Sequence, residues 1–373
     1  MLAKFKVSNF KSFQDDFQWD LTSREDRYDF NENCIKNHLV RSAIVYGKNG
    51  VGKSNLGFAI FDIVEHLTDK RKSELDYNHY MNAYSKENYV AFYYEFVIDD
   101  IKIVYKYRKK DYKTIIYEEL LMDNVCLAYI DRQKSNKALV RFKGAETLNT
   151  DLADNYEISV LKYVKNNAVL EENVINTVFK KFLLFVDRML FFRTLRDTNY
   201  IGLETKEGSI TEDIIRRNNV ADFQNFLNRA GIECKLKVVN ALNKQVLAFD
   251  FENKSIPFWD IASTGTESLA LFYLWFQDIR EQGKVSFLFV DEFDAFYHFE
   301  LSKLIVEELK NTQVQFVLTT HNTSIMTNDL LRPDCYFLMD KRSIVSLANA
   351  TDKELREAHN LEKIYKSNGF HIA

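Results

Sequence analysis

Residues Gly47 to Ser54 read GKNGVGKS and hold three of the chain's eleven glycines. They fit the pattern G-x-x-x-x-G-K-[ST]. Here backbone N–H groups can turn inward around phosphate oxygens, because no Cβ blocks the approach. In that arrangement Lys53 reaches the β- and γ-phosphates and Ser54 ligates Mg²⁺. Gly47, Asn49, Gly50, Gly52 and Asn55 complete the expected nucleotide-binding set. A second cluster lies in FLFVDEFD, Phe287 to Asp294, where an apolar run ends in Asp291-Glu292. Asp291 suits the carboxylate that holds a Mg²⁺-bound water, and Glu292 the general base that orients and deprotonates an attacking water. A third, VLTTHNTSIM, sets His321 just beyond an apolar run, where it could hydrogen-bond a γ-phosphate or that water. A fourth, ASTGTESLALFYLWF, opens an apolar helix with Ser263, Thr264, Gly265 and Glu267. The local reading is a capping box from Thr264 to Glu267. The same helix start also offers N–H groups and hydroxyls to an anion, which need not be the chain's own nucleotide.

Chemistry at these sites requires elements that bring them together. Ser42 to Tyr46 reads as a buried strand before the glycine loop, and Leu56, Ile60, Ile63 and Val64 after it recur at helical spacing. Strands joined by a turn are expected within 2–21, and an antiparallel meander over 89–130, where aromatic and β-branched residues are interrupted by Asp-Asp, Lys-Lys-Asp and Asp-Asn. Residues 151–230 read as mostly helical, and 235–251 as strands. A helix follows from Thr264 to about Gln282, then a strand over 285–290, a helix over 299–310 and a strand over 314–318. Buried strands alternating with helices imply an α/β core with a largely parallel sheet. That core is split in sequence: residues 1–68 and 236–373 flank a lobe over 69–235 made of the meander and a helical insertion.

Composition is that of an ordinary globular chain, 46% hydrophobic and 28% charged with a net charge of −4. No apolar run is long enough for a membrane span, and the first residues carry no signal-peptide core. The four cysteines are isolated, which fits a reducing, cytoplasmic setting and argues against a disulfide framework or a structural zinc site. Basic clusters occur at Lys70-Arg71-Lys72, at Tyr105 to Lys110, and at Arg188, Arg193 and Arg196. The second interleaves aromatics with cations, so it is either a nucleic-acid surface or a solvated strand face.

Taken in order, these motifs resemble the ABC-type ATPases that act on nucleic acids, the RecF, SMC and OLD relatives. FKVSNFKSF (Phe5 to Phe13) resembles that group's opening strand and turn, STGTE its signature, FLFVDE its Walker B motif and TTH its switch histidine. The ending HNLEKIY, His359 to Tyr365, is similar to the tail of the small AAA15-type ATPases. The signature departs from the usual SGG-type sequence, and no glutamine between Gln18 and Gln133 can serve as the family's Q-loop.

The resemblance implies a head-to-tail homo-oligomer, at least a dimer. ATP on one copy's loop is capped by Ser263 and Gly265 of the other, so hydrolysis loosens the pair. It further implies a place in antiphage defence as the sensor of a nuclease partner of the Toprim or HNH type, triggered by nucleic acid or a phage protein. The alternative is a RecF-like repair clamp on DNA. A membrane transporter's ATPase fits poorly with the NFKSF opening and the large internal lobe.

Overall fold

The computed structural model describes residues 1–373 except 71–76, 153–156, 194–199, 203–208, 242–243, 296–298 and 373. The chain divides into two compact units, one of residues 1–203, 286–292 and 315–373, the other of residues 204–285 and 293–314.

The first unit is built on two seven-stranded sheets. One is mixed and carries the glycine loop. In spatial order its strands are Tyr200–Gly202, Met189–Arg193, Phe287–Asp291, Gln315–Thr320, Ser42–Tyr46, Tyr336–Met339 and Ile344–Ser346. The five inner strands run parallel and only the two edge strands are antiparallel. Phe287–Asp291, Gln315–Thr320 and Ser42–Tyr46 are buried at every position, as apolar runs without alternation require. This is the α/β core with a largely parallel sheet expected from the sequence. The reading of 151–230 as mostly helical holds for Val160–Asn167, Val174–Asp187, Ile210–Arg216 and Val220–Arg229. It misses Met189–Arg193, whose five residues are too short to show a period against the helix before them.

The helix Lys53–Leu67 packs its apolar face on this sheet. Phe61 lies 5.4 Å from Phe191 and 6.0 Å from Phe287, ring centre to ring centre. A Cβ at Gly57 would come within 2.9 Å of the Phe191 and Phe289 rings, so the glycine lets the helix settle closely.

The other sheet is antiparallel. Leu2–Ser8 and Phe17–Asp20 continue into the expected meander of Val90–Ile98, Ile101–Lys109, Ile115–Met122, Val125–Asp131 and Ser135–Val140. One side chain stitches the two sheets together. Buried Gln315 accepts from the Leu2 N–H at 2.8 Å and donates to the carbonyls of Leu2 and Val40 at 2.8 and 2.9 Å, so an amide side chain completes the backbone of both.

The second unit holds the helices Ile210–Arg216, Val220–Arg229, Thr264–Ile279 and Phe299–Lys310 with a three-stranded antiparallel sheet of Leu236–Ala241, Lys244–Asp250 and Ser255–Pro257. Phe223, Phe226 and Tyr273 cluster at its core.

Candidate nucleotide site

The loop follows the Ser42–Tyr46 strand and ends where Lys53 starts its helix. Gly50 and Gly52 adopt φ of +76° and +106°, the region that L side chains resist. Gly47 has no room for a side chain, because a Cβ would fall 2.6 Å from the Met339 carbonyl oxygen. No side chain caps the helix at Gly52, so its first N–H groups are left for another acceptor. Lys48, Asn49 and Gly50 are exposed, while Ser54 and Asn55 are half-buried. Asn55 donates to Ser12 Oγ at 2.9 Å and ties the loop to the turn after the first strand.

Lys53 is buried, with Nζ 2.9 Å from the Gly47 carbonyl oxygen and 2.8 Å from His321 Nε2. That contact fits a neutral imidazole accepting from the ammonium. Burial lowers the Lys53 pKa from its ordinary value, and the nearby Glu292 and Asp291 charges oppose the shift. The candidate loop lysine, acidic pair and histidine therefore share one neighbourhood. They do so because their strands lie side by side, with the His321 strand between the loop strand and the acidic strand.

Asp291 is buried and Glu292 half-buried. Asp291 Oδ1 accepts from Thr319 Oγ1 at 2.8 Å, and its Oδ2 faces Arg193 Nε at 3.6 Å. Arg193 stands opposite Asp291 in the parallel ladder, its guanidinium 5.3 Å from the Phe58 ring centre. Thr319 carries no role in the sequence reading, and Arg193 stands there only in a basic cluster that could contact a partner's nucleotide or a sister subunit. TTH contains the first, and the short apolar run MLFFR that ends in Arg193 is the signal for the second.

These residues suit a nucleotide triphosphate with Mg²⁺. The glycines leave room for phosphate oxygens, and the donors are a lysine and uncapped helix N–H groups. Among the described residues, no group of three or more His, Cys, Asp or Glu side chains is arranged to hold a metal. A divalent ion at Ser54 and Asp291 would therefore complete its shell with phosphate and water oxygens.

Ser263 and Gly265 belong to the second unit. The helix there begins at Thr264, so Ser263 is the cap and accepts from the Thr266 N–H at 3.2 Å. This corrects the expected capping box: Glu267 falls one position too far along to reach back to the cap. Ser263 is exposed and Gly265 half-buried.

The run Tyr105 to Lys110 presents only alternate side chains outward. Tyr105, Tyr107 and Lys109 are fully buried, and strand alternation leaves only Lys106, Arg108 and Lys110 outward. Lys106 pairs with Glu119 at 2.8 Å, and Arg108 lies over the Tyr89 and Tyr117 rings. This geometry is that of a strand with one buried and one outward face. Arg71, Lys72 and Arg196 lie outside the described residues.

The family described as "AAA domain, putative AbiEii toxin, Type IV TA system" matches residues 42–327. No curated protein matches the sequence. Among solved structures, the chain is similar to the SMC head domain from Thermotoga maritima, at 12% identity and a TM-score of 0.44 over 92% of this chain and 98% of that one. It is also similar to an SMC head bound to the C-terminal winged-helix domain of ScpA, at 15% identity and a TM-score of 0.48 over 92% and 97%. A third is the SMC head with an extended coiled coil bound to the C-terminal domain of ScpA, derived from Pyrococcus furiosus, at 13% identity and a TM-score of 0.47 over 94% and 97%.

Proposed function

The chain belongs to the AAA-domain family that matches its residues 42–327, and on that premise we propose that it is a Mg²⁺-dependent ATPase, a homo-oligomeric sensor that regulates a nuclease effector in antiphage defence. The observation that carries the ATPase half is the meeting of Lys53 with His321, beside Asp291 and Glu292, at the ends of adjacent parallel strands. When bound, Mg²⁺–ATP supplies an activated γ-phosphoryl group. Gly47, Asn49, Gly50, Gly52 and Asn55 shape the loop, and Lys53 offsets phosphate charge. Ser54 and Asp291 would hold the ion with its waters. Glu292 orients the attacking water and takes its proton, and His321 hydrogen-bonds that water or donates to the γ-phosphate.

In the regulatory half, two copies associate head to tail, and Ser263 and Gly265 of one cap the γ-phosphate held by the other. Loss of that phosphate removes the differential affinity that favours the pair. The partner is a nuclease of the Toprim or HNH type, the trigger is nucleic acid or a phage protein, and the setting is the cytoplasm. Among the described residues no helix is long and apolar enough to cross a membrane.

The test begins with ATP titrated into wild type and Lys53→Ala by calorimetry, with phosphate release from wild type and Glu292→Gln. We expect Lys53→Ala to lose binding, and Glu292→Gln to bind ATP, hydrolyse it slowly and accumulate as an oligomer. Equal ATP affinity in Lys53→Ala refutes the loop assignment. For the regulatory half, the protein is expressed with its neighbouring gene product in cells challenged with phage. No protection from any phage in a broad panel, with tight ATP-dependent DNA binding by the protein alone, would replace the defence role with repair.

A further inference from the structure

We infer that Thr319 is a positioning residue for the reaction: its buried hydroxyl joins the backbone of Glu292 to the carboxylate of Asp291 and holds both to the strand that leads to His321. The inference rests on the ATPase reading above and goes beyond it by naming what sets the geometry of the acidic pair.

Three observations carry it. Thr319 is fully buried, and its Oγ1 lies 2.8 Å from the Glu292 N and 2.8 Å from Asp291 Oδ1. A hydroxyl has one proton to give, and an amide N–H can only donate. The relay therefore has one polarity, with Glu292 N–H donating to Thr319 and Thr319 O–H donating to the Asp291 carboxylate.

The second observation is where the ladder stops. The acidic strand and its neighbour are registered up to Val290 opposite Leu318. One step further, the Thr319 side chain takes up the Glu292 N–H. On its other side the Thr319 backbone stays paired with Val45, two residues before Gly47. One residue thus ties the acidic strand to the strand that feeds the phosphate loop.

The third is the backbone of Glu292, whose φ is +50°. A left-handed residue other than glycine is strained, and such a conformation persists where its surroundings over-determine it. The bond to Thr319 is one such constraint at this position. It turns Glu292 out of the strand direction, as a residue facing a substrate water requires.

The experiment compares wild type with Thr319→Val, which keeps the shape and removes the hydroxyl, and Thr319→Ser, which restores it. Hydrogen exchange of the Glu292 amide reads the bond directly, without nucleotide. Steady-state hydrolysis reads its consequence, and thermal unfolding checks that each variant is folded. We expect Glu292 exchange to speed up about fivefold or more in Thr319→Val. Its kcat should fall about 10–100-fold, with KM for ATP within about twofold, and Thr319→Ser should recover both. Unchanged exchange overturns the relay. Faster exchange with wild-type kcat overturns the positioning role. If wild type itself releases no phosphate, the proposed reaction falls and the catalytic part of this inference falls with it, while the exchange data still decide the bond. Should Thr319→Val not fold, wild-type exchange and kcat in Thr319→Ser support the relay, and a loss of either there refutes it.

Discussion

The buried pair of Asp62 and Lys109 offers a sharp test of how the loop helix is fastened to the antiparallel sheet. Asp62 sits on the helix Lys53–Leu67 and Lys109 ends the strand Ile101–Lys109. Both side chains are 0% exposed, with 2.7 Å between Lys109 Nζ and Asp62 Oδ1. The Tyr80 and Tyr107 hydroxyls also donate to Asp62, each at 2.9 Å. Lys109→Met leaves a buried carboxylate with two neutral donors and no cation, which should cost about 3–5 kcal/mol. Asp62→Asn leaves the ammonium without its counter-charge, facing only neutral acceptors such as the Tyr112 carbonyl at 3.3 Å, and should cost a similar amount. The double variant buries no charge, so its loss should fall short of the sum of the single losses by about 1–3 kcal/mol. Lys106→Met is the internal control, three residues back on the outward face, where the pair to Glu119 is 38% exposed on the lysine side. It should cost less than about 1 kcal/mol. Urea unfolding at constant m-value measures all four. If Lys109→Met falls within about 1 kcal/mol of wild type, as an exposed pair would, the fastening argument is wrong.

Other expectations follow from single sites. Glu118 is fully buried, and burial pushes its carboxyl above the ordinary 4.5, against the downward pull of donors from Ser159, Val160, Tyr105 and Leu161. A raised pKa stabilises the fold below the ordinary value, and that contribution is lost as pH climbs through the raised one. The stability of wild type relative to Glu118→Gln should therefore be greatest in acid and shrink toward neutrality, as read by urea melts across pH. Gly57→Ala should destabilise by about 1–3 kcal/mol, because its Cβ meets the Phe191 and Phe289 rings, although alanine favours a helix; a rise in melting temperature would contradict that packing. Arg193→Ala removes the cation facing Asp291 Oδ2, so half-saturating Mg²⁺ for ATP hydrolysis should drop by up to about fivefold. A higher Mg²⁺ requirement would show that Arg193 does not compete with the ion.

The positions of the candidate loop, acidic pair and histidine were legible because they sit where strands end, and a buried strand followed by a glycine loop or an acidic pair is a local pattern. The loop, the acidic strand and the histidine strand each lie where their own sequence put them. The order of those strands is a different kind of fact. Nothing within Val317 to His321 says that this strand lies between the other two, since neighbours in a parallel sheet are far apart in the chain and paired through backbone groups that every residue shares. For the same reason the sequence marked Arg193 only as part of a basic cluster and did not set Met189–Arg193 beside the acidic strand.

Burial was the other decision left to the fold. The alternation of Tyr105 to Lys110 marked a strand with two faces, and packing against the loop helix turned Tyr105, Tyr107 and Lys109 inward. A lysine enters a core only where a carboxylate awaits it, and Asp62 comes from a helix 47 residues earlier in the chain. What the sequence by itself determined were the local elements and the groups at their tips. Tertiary structure decided which tips meet and which charges leave water, because both depend on partners distant in the chain.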